Sequence, residues 1–236
     1  MAQGKDLQIL SGGAAAGVVR GLQQAFEQTE QCHIHGTFSA VGVMYDNLLA
    51  GAPCDIVILT QTLIDQLIGS GQVLAGSAQS LGTIRTGIAV RSGTVKPSVD
   101  SREGLIAALT EAGAIFCPDT EKSSAGIHFM NVLKKLDLVQ TLKSKFHTFP
   151  NGALAMQAMA QSTQTHVIGC TQVTEILYTA GIELVDVLPR EFELATHYTL
   201  GICSQAQAPE LAKKFAAMLS GNESIALRRE GGFEFS

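Results

Sequence analysis

The chain has 236 residues, 46% of them hydrophobic, with 24 glycines, no tryptophan and a formal charge of −5 at pH 7. That length suits one large domain or two lobes sharing the chain, and the apolar fraction is enough for a substantial core. A negative balance with no basic block argues against a nucleic-acid surface, although an anion can still be held by backbone N–H groups and a local cation. The five cysteines, Cys32, Cys54, Cys117, Cys170 and Cys203, are scattered and show no CxxC spacing. They indicate neither a zinc site nor a disulfide framework and read as free thiols, with Cys54 and Cys203 as small buried hydrophobes. Met1–Asp6 leads straight into an apolar strand, without the charged and then apolar regions of a signal peptide. As it stands the chain reads as cytoplasmic; with a signal peptide already removed it would be periplasmic.

Short apolar strands alternate with amphipathic helices, the pattern of an α/β fold. Leu7–Leu10 is the first expected strand, followed by Ser11-Gly12-Gly13 and a helix over Ala14–Gln28. A strand over His33–Thr37 and a helix over Val43–Leu49 end at Ala50-Gly51-Ala52-Pro53, a stop and turn. Asp55–Leu59 is the third strand and Thr62–Ile68 a short helix. After a polar stretch, Thr86–Arg91 is a strand and Ser101–Ala112 a helix capped by Asp100 or Ser101. Ala114–Cys117 is the next strand, and Thr120–Gly126 leads into a helix through Leu136. Asn151–Gln161 reads as helix, Thr165–Gly169, Leu184–Leu188 and Thr196–Cys203 as strands, and Ala208–Leu219 as the closing helix.

Several of these pieces carry a resemblance. Ala50-Gly51-Ala52-Pro53-Cys54-Asp55 and the strand after it, then Gly71-Gln72-Val73, resemble the turn and strand of the bacterial molybdate-binding proteins. Ala125-Gly126-Ile127-His128 resembles their second-lobe helix start, and Arg85–Arg91 their crossing strand. The looser patterns around Arg85, Gly126 and Gln172–Ile176 resemble aconitate isomerase, an enzyme on the same solute-binding fold. The resemblance implies a type II solute-binding-protein fold: two Rossmann-like lobes joined by crossing strands, with the ligand in the interlobe cleft. Lobe one would hold residues 1–83 and 204–236, and lobe two residues 84–203.

In such a cleft, helix N-termini favour an anion through their open N–H groups and dipole. Ser11 and Gly12, Thr37 and Ser39, and Lys122-Ser123-Ser124 with Gly126 have the composition for that role, each with a plain helix cap as the competing reading. The second-lobe tyrosine of the molybdate-binding proteins falls near Cys170 or Thr171 here. Their two first-lobe serines fall at Ala14 and near Ala40 or Val41, so that pattern is broken here. Arg85 offers a bidentate fork to a carboxylate, against a surface ion pair. For proton transfer the candidates are His128, in the first turn of its helix, and Glu175, after a strand-to-helix turn, ahead of His33, His35 and Tyr45. His33 and His35 share one strand face without a third ligand, so no metal is expected. The resemblance thus implies a small anionic ligand, a tricarboxylate or an oxyanion. The implied function is a 1,3-allylic proton shift between trans- and cis-aconitate without a cofactor. The alternative is delivery of the ligand to a membrane permease.

Overall fold

The computed structural model describes residues 5–235; the Met1–Gly4 segment read as leading into the first strand lies outside the described residues. The chain forms two compact units. One comprises the chain up to Thr83 together with the part from His197 onward, and the other Ile84–Thr196. In this division the return to the first unit falls at His197, within a strand.

In chain order the first unit begins with β1 (Lys5–Gly12), a 3-10 turn, α1 (Ala16–Glu30), β2 (Cys32–Ser39), α2 (Val41–Leu49), β3 (Ile56–Thr60) and α3 (Gln61–Gly69). The chain leaves along β4 (Gln79–Arg91). The second unit adds α4 (Arg102–Glu111), β5 (Ala114–Pro118), α5 (Ser124–Lys135), α6 (Val139–Leu142), β6 (Phe146–Phe149), α7 (Gly152–Gln161), β7 (Val167–Gln172), α8 (Val173–Leu177) and β8 (Ile182–Val187). The chain returns along β9 (Ala195–Ile202) and closes with α9 (Pro209–Ser220) and α10 (Ile225–Glu230).

The first unit's sheet runs β2-β1-β3-β9, with β1, β2 and β3 parallel and β9 antiparallel to β3. Apolar β1 and β3 lie inside it, where Leu7, Ile9, Ile56 and Ile58 are fully buried. β2 is an edge strand with alternating exposure, which suits its two histidines. Helix α1 packs on β2 and on α9, where the rings of Phe26 and Phe215 lie 4.7 Å apart. The turn before β3 has a clear job. The buried Asp55 carboxylate accepts N–H bonds from Gln8 in β1 (2.7 Å) and from Gln207 and Ala208 (2.6 and 2.9 Å). It thereby caps α9 from across the fold, since Ala208 has no side-chain oxygen to do so.

In the second unit the order is β8-β4-β7-β5-β6, with β5, β6 and β7 parallel and β4 antiparallel to β7 and β8. The period-2 alternation divides its core between the two faces. Ile88, Ile115, Cys117, Ile168 and Cys170 pack with α4 and α5 residues such as Leu105, Leu109 and Phe129. Ala89, Ala114, Phe116 and Val167 face Met156 and Met159 of α7. All five cysteines are free and buried. Ser101 caps α4, its hydroxyl accepting from Gly104 N–H at 3.1 Å.

Candidate functional site

Parallel strands bring their carboxyl ends, and the helix N-termini that follow them, to one edge of each sheet. In the first unit, register pairs Gly12 with Ser39 and Leu10 with Thr37, so the ends of β1 and β2 lie side by side. Both strands run further than the sequence suggested, so Ser11, Gly12 and Ser39 join Thr37 in strands and do not lie in the loops after them. Ser11 is fully buried and donates its hydroxyl hydrogen to the Gly12 carbonyl at 2.9 Å. Gly12 is needed for packing, because a Cβ there would meet Val41 Cγ1 at 2.7 Å and Tyr198 Cε1 at 3.1 Å. Thr37 is exposed and Ser39 half-buried on the edge strand. The helices that follow β1, β2 and β3 begin without a side-chain cap at Ala15, Ala40 and Thr60. Their first-turn N–H groups are left open to an anion.

The second unit has a polar side-chain cluster of its own. At the carboxyl end of β7, Gln172 pairs in register with Thr86 of β4, which sets both side chains on one face. Gln172 Nε2 donates to Ser124 Oγ and Thr196 Oγ1, both at 3.3 Å. Three buried oxygens of this neighbourhood lack a partner among the described residues: Thr86 Oγ1, Gln172 Oε1 and Thr174 Oγ1. An orphaned buried oxygen costs about 1–3 kcal/mol, so three on adjacent elements mark a place built to be completed by something else. Helix α5, which begins here, has no side-chain cap at Ser123.

Glu175 lies next to this cluster and is buried, so it is no surface charge. Its Oε2 accepts the Thr171 hydroxyl at 2.5 Å, and the carboxyl also accepts N–H bonds from Ala153, Gln172 and Gly152. A Cβ on Gly152 would overlap both Thr171 Oγ1 and Glu175 Oε2, so the glycine is what admits the carboxyl to the start of α7. Burial pushes the Glu175 pKa up to about 7, against the lowering pull of those hydrogen bonds. A carboxyl that titrates near 4.3 when unfolded holds its proton more firmly in the folded chain. Its stabilising contribution is therefore complete below the unfolded value and is lost as pH rises through the folded one. Urea unfolding is expected to show wild-type stability falling by roughly 3 kcal/mol between pH 4.5 and 7.5, with that slope absent in Glu175→Gln.

The remaining candidates sit apart from this cluster. Arg85 pairs with Glu193 at 3.2 Å and, one residue from Thr86, points to the opposite face of β4. There it borders a groove of about 380 Å³ with Asp100, Asp186 and Arg190. His128 Nε2 donates to the Phe192 carbonyl at 2.6 Å, which turns the ring toward that carbonyl. Lys122 is exposed, and its N–H joins Glu121 N–H in donating to Asp119 Oδ1. Gly126 is a packing glycine: a Cβ would collide with the Asp119 carbonyl. His33 and His35 are exposed, with His35 Nε2 3.3 Å from Asp6 Oδ1. Sequence reasoning reached Thr171, Ser123, Ser124 and Glu175 but missed Thr86, Thr174 and Thr196 as polar partners. Their clustering depends on β4–β7 pairing, which no local pattern announces.

Residues 7–234 match the family of bacterial extracellular solute-binding proteins, and the chain belongs to that family. Over 239 residues it is 25% identical to an aconitate isomerase from a Pseudomonas species, a match covering 97% of this chain and 87% of the relative. Among solved structures it is similar to the periplasmic molybdate-binding protein of Azotobacter vinelandii, at 16% identity and a TM-score of 0.80, covering 98% of this chain and 99% of that one. It is also similar to the sulfate-binding protein SubI from Mycobacterium tuberculosis H37Rv, at 14% identity and a TM-score of 0.72, over 97% and 86% of the two chains. These likenesses establish the periplasmic-binding-protein fold expected from the sequence. Among the described residues no helix is long and apolar enough to cross a membrane.

Proposed function

We propose that the chain binds a small polycarboxylate and isomerises it by a 1,3-allylic proton shift, interconverting trans- and cis-aconitate. The observation that carries this reading is Glu175: a buried carboxyl titrating near neutrality beside three buried oxygens without partners. The 25% identity to an aconitate isomerase along nearly the whole chain supports it. Glu175 takes the proton made acidic by the adjacent carboxylate and alkene, and returns it at the far carbon of the three-carbon unit. Thr86 and Thr174 donate their hydroxyls to the substrate's carboxylate oxygens, and open helix N–H groups stabilise the dienolate-like charge as it spreads. Proton transfer alone completes the cycle, so the reaction calls on no cofactor.

A second reading has its own support. Glu175 already accepts from Thr171 and three backbone N–H groups, the full complement of a structural carboxyl. On that reading the protein is a receptor that carries a small anion to a membrane permease from the periplasmic side. Proton NMR of the protein with trans-aconitate in deuterated water separates the two. Isomerisation is expected to yield cis-aconitate with deuterium at the allylic carbon, and Glu175→Gln should slow it at least about 100-fold. Binding without exchange would sink the enzyme reading and leave the receptor.

A further inference from the structure

Within the second unit, the buried amide of Gln172 sets a requirement on whatever completes the polar cluster around it. Its Nε2 is occupied, donating to Ser124 Oγ and Thr196 Oγ1 at 3.3 Å each. Its Oε1 has no partner among the described residues, and the residue is 2% exposed. A carbonyl oxygen can only accept, so the missing partner is a hydrogen-bond donor. Thr86, 1% exposed, stands directly opposite in the β4–β7 register, which sets the two side chains on one face with Cβ atoms about 4.5–5.5 Å apart. Its hydroxyl also lacks a partner among the described residues and can donate to an acceptor.

The contact with Ser124 brings the first residue of α5 to the same place. No side chain caps that helix at Ser123, so its first-turn N–H groups are further donors. An anion made of acceptors alone suits Thr86 and α5 but sets an oxygen against Gln172 Oε1. A ligand with a hydroxyl beside a carboxylate suits all three.

We propose, resting on the reading of this cluster as the anion's place, that the anion it fits best is a 2-hydroxy acid. The hydroxyl donates to Gln172 Oε1, and the adjacent carboxylate accepts from the Thr86 hydroxyl and the open N–H groups of α5. The aconitates carry no hydroxyl and leave Gln172 Oε1 unpaired, so a hydroxylated tricarboxylate should bind more tightly than either and compete with it. The discrimination comes from a buried acceptor left without a donor, not from charge, because the two kinds of acid carry the same charge when fully ionised.

The test is calorimetric titration of citrate, and of tricarballylate, the same tricarboxylate without the hydroxyl, at a pH where both are fully ionised. Citrate is expected to bind the wild-type protein about 10- to 100-fold more tightly. Gln172→Met removes the acceptor and should bring the two affinities to within about threefold of each other. Thr86→Val should weaken both acids alike and keep the preference, since that hydroxyl meets only the carboxylate. Equal affinities in the wild type would overturn the proposal. Tighter binding of tricarballylate would also overturn it, and would mean that the amide is turned over with Nε2 toward the ligand. So would a preference that survives in folded Gln172→Met. If trans-aconitate binds and neither of these acids does, the proposal falls alone; if none of the three binds, the reading of the cluster as an anion site falls with it. The wild-type comparison and Thr86→Val decide the matter if Gln172→Met fails to fold.

Discussion

Replacing Asp55 by alanine is expected to destabilise the protein by about 3–5 kcal/mol, read as a fall in the urea midpoint. The carboxylate is 1% exposed and serves three backbone N–H groups: Gln8 in the central strand, and Gln207 and Ala208 at the entry to α9. Removing it takes the acceptor from all three donors at once. It also uncaps a twelve-residue helix whose own N-cap, Ala208, cannot substitute. Asp55→Asn keeps one acceptor oxygen and is expected to lose about half as much. An alanine variant of unchanged stability would mean that the turn before β3 matters for something other than this cap.

The second large effect is expected at Arg228. This guanidinium is 3% exposed and has no carboxylate partner among its bonds. It donates to the carbonyls of Leu81, Ser220 and Gly221 and to Ser224 Oγ at 2.8–3.0 Å, with the Phe235 ring 4.8 Å away. A buried cation held only by dipoles is stable because each is aimed at it. Arg228→Leu removes the charge but takes this donor from the Leu81 and Ser220 carbonyls, at a cost of about 3–5 kcal/mol. Because Leu81 lies at the start of β4 and Ser220 at the end of α9, the variant should also loosen the closing helix, seen as faster amide exchange in α10. Stability equal to wild type would show that water satisfies the same carbonyls.

The fold was legible because strands and helices of ordinary length carry their period openly: the apolar runs of β3, β5 and β9 and the amphipathic α1, α5 and α9 lie within a few residues of their expected limits. The misses have physical causes. The polar Gln79-Ser80 start of β4 lacks any apolar signal, so the strand appeared to begin near Arg85. β6, α8 and α10 are too short to display a period. Of the candidate site, the glycines and hydroxyls at strand ends could be read, but their side-chain directions could not. Ser11 turns into the core, Arg85 turns to the other face of its strand, and Gln172 meets Thr86 only through β4–β7 pairing. The burial of Glu175 could not be read, because nothing local reveals that Gly152 opens a place for it at the start of α7.

The most direct test of the account is a calorimetric titration of trans-aconitate into the wild-type protein and into Thr86→Val, which removes one orphaned hydroxyl while keeping the shape of the side chain. If the buried oxygens of β4, β7 and α8 hold the anion, binding should weaken about 10- to 100-fold, the worth of a hydroxyl donating to a charged group. Equal affinity in the two proteins would show that the anion is held elsewhere.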